Sequence, residues 1–161
     1  MNAGDTAIEV LLAWAVGLTI AGLVYGPIIA VSQGAGWAGV LDGITMIPTN
    51  LMLSFTIGAM ISVPIMALGI LLALLAGPRA GERPVFWTLV TAAGGTILFG
   101  LGDAVARGDL LGEGGWPIRP PAPVLIADLT IIALAVSGGA LFYCRRLRAR
   151  LPTMGGDRAE R

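Results

Sequence analysis

Four long apolar runs limit what this chain can fold into. They cover about residues 7–31, 51–76, 84–102 and 123–144. A helix of 18 or more apolar residues is long enough to cross the ~30 Å hydrocarbon core of a bilayer. The fold expected is therefore all-α: a polytopic membrane protein, a bundle of four transmembrane helices in one domain spanning 1–161, with a flexible tail over 151–161. Composition agrees. Hydrophobic residues make up 56% of the chain and charged residues only 12%, with a mean hydropathy of +0.85. A soluble domain of this size carries about twice that share of charge.

Local signals place the ends of the runs. The first is not a convincing cleaved leader, because Met1–Asp5 carry no Lys or Arg and the apolar stretch exceeds a usual leader core. Asn50 is a plausible N-cap for the second run, which contains Pro64 and ends at Gly77-Pro78. Pro84 suits the first position of the third helix. Trp87, Phe142 and Tyr143 fall where interfacial aromatic residues belong.

The basic residues orient the runs. All ten are arginine. Arg145, Arg146, Arg148, Arg150, Arg158 and Arg161 follow the fourth run, and Arg79 and Arg83 lie between the second and third. Eight of the ten thus fall on one side, which positive-inside topology makes cytoplasmic, with both termini there. Lysine-free, arginine-rich usage is read as the mark of a GC-rich bacterial genome, and the location expected is the bacterial inner membrane. On the outer side, residues 32–50 are too apolar for a solvated loop and suit an interfacial segment or a short helix broken at Pro48. The stretch from Asp103 to Ala122 is rich in Gly and Pro. Gly36-Trp37 and Gly115-Trp116 sit in equivalent outer loops, but their flanks do not align, so no internal repeat is inferred.

Absences remove whole classes of chemistry. There is no histidine and no lysine, which excludes imidazole ligation, His general bases and a lysine Schiff base. The one cysteine, Cys144, allows neither an internal disulfide nor a CxxC pair. No phosphate-binding, metalloprotease, serine-hydrolase or dinucleotide motif is present. No cofactor, metal or nucleic acid is expected.

What remains is a set of small-residue faces and a few acids. Ala13, Gly17 and Ala21 lie four apart in the first run, and Ser54, Gly58 and Ser62 do so in the second. Such faces let helix backbones approach closely, and replacing Gly58 with leucine is expected to loosen the bundle. Glu9 continues the face of Ala13, pointing toward other helices. It reads either as an interfacial carboxylate or as a proton or ion site. Asp128 lies five residues into the fourth run, about 7–8 Å deep at ~1.5 Å per residue. It could serve a cation or proton site, or pair with Arg107 or Arg119, with Asp103 joining it.

The leading functional expectation is a non-catalytic accessory subunit or small homo-oligomer whose partners are membrane lipids and other membrane subunits or itself. The alternatives are a small proton- or cation-coupled transporter or channel using Asp128, and a lipid-modifying enzyme working with carboxylates. The topology makes a direct prediction. An alkaline-phosphatase fusion after Gly112 should be active and one after Gly155 inactive; the reverse pattern would refute it.

Overall fold

A computed structural model describes residues 3–77, 79–106 and 121–150. Among them every regular element is helical: α1 (Ala3–Ser32), α2 (Gly36–Thr45), α3 (Ile47–Leu53), a π-helical turn (Ser54–Gly58), α4 (Ala59–Ile61), α5 (Val63–Ala76), α6 (Arg79–Glu82), α7 (Pro84–Ala106) and α8 (Ala122–Arg150). Three of these, α1, α7 and α8, are long and apolar enough to cross a membrane. A fourth crossing exists only if bent pieces between α1 and α7 count as one span. The chain is thus an all-α polytopic membrane bundle.

The second pass differs from the sequence expectation in one way: it is not one helix over 51–76. Residues 32–50 hold the short helix, broken just before Pro48, that their apolarity suggested. Only three residues separate α1 from α2. Gly34 turns the corner at φ 68°, while Ala35 N donates to Ala30 O and Gly34 N to Val31 O, the paired bonds that close a helix on a left-handed residue. From Gly36 the chain is helical again but bends by 59° between Thr45 and Ile47. Asn50 is not a cap: it sits inside α3 and its N–H donates to Met46 O at 2.9 Å. Each break precedes a proline, Met46 before Pro48 and Ser62 before Pro64. Proline lacks the N–H of its turn and crowds the carbonyl four residues back, so the helix must deform there. Thr56 Oγ1 donates to Met52 O at 2.8 Å at the π-helical turn, supplying a donor where the regular ladder is disturbed.

The glycine contacts show how the passes run. Gly43 abuts Gly26, Leu51 abuts Gly22, Gly58 lies by Leu18 and Gly69 by Val10, so the pieces from α2 to α5 descend antiparallel to α1. Gly17 meets Ala135 and Gly139 meets Ala13, making α8 antiparallel to α1. Gly95 meets Val136 and Gly100 meets Leu129, making α7 antiparallel to α8. The start of α1, the α5–α7 connection and the end of α8 therefore share one end of the bundle, which carries Arg79, Arg83 and the α8 arginines. Helix α8 continues past Cys144 to Arg150, so these last arginines are helical.

Helices α1, α8, α7 and α5 pack in a closed ring, each touching the next. The α1–α8 side is the tightest. A Cβ on Gly139 would lie 2.5 Å from Ala13 O, and one on Gly17 would lie 2.9 Å from Ala135 O. Neither position admits a side chain without moving backbone. Gly58 differs: a Cβ there would meet nothing closer than Leu18 Cδ2 at 3.7 Å. Gly139→Ala and Gly17→Ala should each destabilise the bundle by about 1–3 kcal/mol through overpacking, whereas Gly58→Ala should be close to neutral. Thermal unfolding in mild detergent reads the difference; equal losses at Gly58 and Gly139 would contradict this packing.

Candidate functional site

The small-residue faces do two different jobs. On α1, Ala13 and Gly17 turn one edge to the α8 backbone at Ala135 and Gly139. Their other edge, with Ala21, faces Ser54, Gly58 and Ser62 of the second pass across a gap. This gap is an apolar cleft of about 170 Å³ inside the ring of α1, α5, α7 and α8. Its walls are dominated by small residues, continuing through Gly69, Ala73 and Ala76 on α5 and Ala140 on α8. The broken second pass explains why it exists. The π-helical turn and the deformation at Ser62 hold that pass off the regular line along which small faces close.

One polar bridge spans the cleft. Trp14 Nε1 donates to Ser62 Oγ at 2.9 Å, and Ser62 Oγ donates back to Ala59 O at 3.2 Å. The indole is thereby satisfied away from water, and the deformed residue of the second pass is tied to α1. Thr91, another wall residue, donates its hydroxyl to Trp87 O at 2.8 Å. Trp14, Ser62 and Thr91 thus have local partners, and most of the remaining wall is apolar. A dry cavity of about 150 Å³ admits benzene; this one is larger.

The cleft is confined to one half of the bundle. Along α1 its walls run from Val10 to Ala21, about 17 Å at ~1.5 Å per residue. Beyond Ala21, Gly22 and Gly26 bring the second pass into backbone contact with α1 and close the gap. On the far side of the ring, Gly95 packs against Val136 and Ile65. At the arginine end the cleft is floored by a cluster of Val10, Ala73, Ala76, Ala80, Tyr143, Cys144 and Leu147, with Trp87 and Phe142 against it. Here the Thr88 hydroxyl is buried beside the Cys144 thiol.

Just beyond this floor, Glu9 clamps α1 to α8. It is 5% exposed. Arg150 Nη2 donates to Glu9 Oε1 at 2.5 Å, and Arg146 Nε stands 2.9 Å from Oε2. The first is a directed hydrogen bond. The second is a charge contact, because Oε2 receives no aligned N–H. Arg146 also lies 5.6 Å from the ring centroid of Phe142, within cation–π range. Glu9 is thus the buried member of a triad whose arginines keep about half their surface exposed.

The other acids stand apart from the cleft. Asp128 is half-buried on α8 at the opposite end of the bundle, close enough to Tyr25 of α1 to act on it electrostatically. Asp103 is half-buried near the end of α7, and neither Asp103 nor Asp128 is without a partner. Neither lines the cleft. Arg107 and Arg119, the expected partners of Asp128, lie outside the described residues, as do the Gly/Pro-rich stretch before Pro121 and the tail over 151–161.

Sequence reasoning did not foresee the Glu9–arginine triad. One signal for it was available: the topology puts residue 9 and residues 145–150 on the same side. Nothing in the spacing announced the Trp14–Ser62 bond or the cleft.

The triad predicts an asymmetry. Arg146→Gln with Arg150→Gln leaves a buried carboxylate uncompensated and should cost about 3–5 kcal/mol. Glu9→Gln leaves two half-exposed arginines and should cost about 1–2 kcal/mol, the loss of a charge-assisted bond. Denaturant titration in detergent reads both, and a larger loss for Glu9→Gln would overturn the assignment.

No protein-family model, curated protein or solved structure matches the chain. Its function therefore has to be argued from the cleft and the triad themselves.

Proposed function

We propose that this chain is a non-catalytic multi-pass membrane protein that holds one apolar chain, of the kind carried by membrane lipids, in its central cleft. The observation that carries this reading is the cleft: about 170 Å³, largely apolar, and walled mostly by small residues. Its length supports the same ligand class. About 17 Å is close to half of the ~30 Å hydrocarbon core, the depth of one leaflet.

The proposed location is the bacterial inner membrane, with both termini cytoplasmic, on the strength of the arginine distribution. Membrane lipids are the first proposed partners. Association with other subunits or a second copy would have to use the lipid-facing residues, since Ala13, Gly17, Ala135 and Gly139 are engaged inside the bundle. A proton- or cation-coupled role for Asp128 draws no support from the cleft, whose wall does not include it. A lipid-modifying reaction lacks a base there: among the described wall residues the polar groups are hydroxyls, two indoles and a thiol, with no carboxylate.

Native mass spectrometry after extraction in mild detergent tests this reading. Wild-type protein should retain one lipid, and Gly58→Leu combined with Gly69→Leu, which fills the cleft, should retain none while keeping its helical circular dichroism. A wild-type protein that carries no lipid, or a filled variant that carries as much as wild type, would contradict it.

A further inference from the structure

The arginine end of the cleft is blind. Ala80 and Cys144 there are each 2% exposed and Ala76 is 4% exposed, and they belong to one buried cluster with Tyr143 and Leu147. The walls at the opposite end differ. Ala21, Ser54, Gly58, Ser62, Ile132 and Val136 line it, and each is partly exposed. The fold explains the difference. The fourth side of the ring is α5, which begins at Val63 and meets α7 where Ile65 faces Gly95 and Leu68 faces Gly94. Ser54 and Gly58 precede that side, in the π-helical turn that packs on α1. Gly22 shuts the seam between α1 and the second pass by touching Leu51. Helix α7 meanwhile packs on α5, α6 and α8.

Tyr25 and Asp128 stand one turn beyond this partly exposed end. Tyr25 follows Ala21 by four residues on α1 and Asp128 precedes Ile132 by four on α8, so each shares a helix face with a wall residue. Tyr25 is 45% exposed and close enough to Asp128 to feel its charge. Resting on the proposed reading of the cleft, we infer that its mouth lies at mid-bundle, between the π-helical turn and helices α7 and α8. The occupant is a lipid of the leaflet remote from the arginines, its acyl chain inserted methyl end first and its polar end level with Tyr25 and Asp128. A lipid of the arginine-side leaflet would have to pass its headgroup through the blind end, or send its chain up outside the bundle and fold it back. From Asp128 to Cys144, α8 rises about 24 Å at ~1.5 Å per residue. One leaflet of the hydrocarbon core is only about 15 Å deep, so the bound chain is a long one, extended past the midplane.

Two photoreactive phospholipids test this, one with a diazirine beside the terminal methyl of its acyl chain and one with the diazirine beside the ester. Each is added in equimolar amount to delipidated full-length protein in detergent and irradiated, and its adducts are mapped by tandem mass spectrometry. The methyl-end probe should label the blind end, at Trp87, Tyr143 or Cys144, and the ester-end probe should label Ala21, Tyr25 or Ile132. Ser54→Phe, which narrows the mouth, should lower blind-end labelling about tenfold, the size of an overpacking clash, with helical circular dichroism retained. The reverse order of labels, or the same labels from both probes, would overturn the orientation and leave the cleft reading standing. Labels from both probes on outward-facing residues alone, such as Leu75 and Ile97, would overturn both. Undiminished blind-end labelling in folded Ser54→Phe would overturn the position of the mouth.

Discussion

The structure depends on the backbone contact between α1 and α8. Ala13, Gly17, Ala135 and Gly139 bring two membrane helices so close that a methyl group at Gly139 would lie 2.5 Å from a carbonyl oxygen. In lipid there is no hydrophobic gain from joining two apolar helices, so close packing has to supply the attraction. The pair then fixes the rest. Helix α7 packs on the other side of α8, and the second pass runs down α1. At the arginine end the pair is completed electrostatically, because Glu9 of α1 reaches Arg146 and Arg150 of α8. Small residues hold the middle of the pair and a charge triad holds its end.

Against this firm pair the second pass is irregular, and the irregularity has a definite cause. Pro48 and Pro64 deform the helix, and the π-helical turn over Ser54–Gly58 shifts the register of the small residues. The pass meets α1 backbone to backbone at Gly22 and Gly26 but stands off at Ser54, Gly58 and Ser62. The Trp14–Ser62 hydrogen bond is the polar strut across the part that stands off. A cleft therefore follows from two neighbouring passes, one regular and one broken, that both present small residues. Because the contact resumes beyond Ala21, the cleft occupies one half of the bundle only.

Much of this was legible in the sequence, at the level where composition is enough. The first, third and fourth runs became α1, α7 and α8, each somewhat longer than its apolar stretch. Apolarity reports the hydrocarbon-embedded part, while Asp5 and the α8 arginines extend the helices into the headgroup region. Residues 36–45 were harder. Ten residues with three glycines, an aspartate and a threonine do not read as a membrane segment, and their helix is held by its contact with Gly26. The face of Ser54, Gly58 and Ser62 was visible as a pattern, but its partner was not. Whether two small faces close or leave a gap depends on the regularity of both helices, and a break before a proline is a three-dimensional event. Glu9 was readable as inward-facing from its place above Ala13, yet its partners are more than 130 residues away and only the antiparallel α1–α8 contact brings them near.

The central claim is that an apolar chain occupies the cleft, and the chain's own single cysteine tests it most directly. Cys144 is 2% exposed and lines the cleft at its arginine end. Its labelling rate with a small membrane-permeant maleimide can be compared in delipidated protein and in the same protein refilled with phospholipid. The account predicts markedly slower labelling after refilling, because an occupant blocks the approach to the thiol. Equal rates in the two preparations, with the fold intact in both, would contradict it.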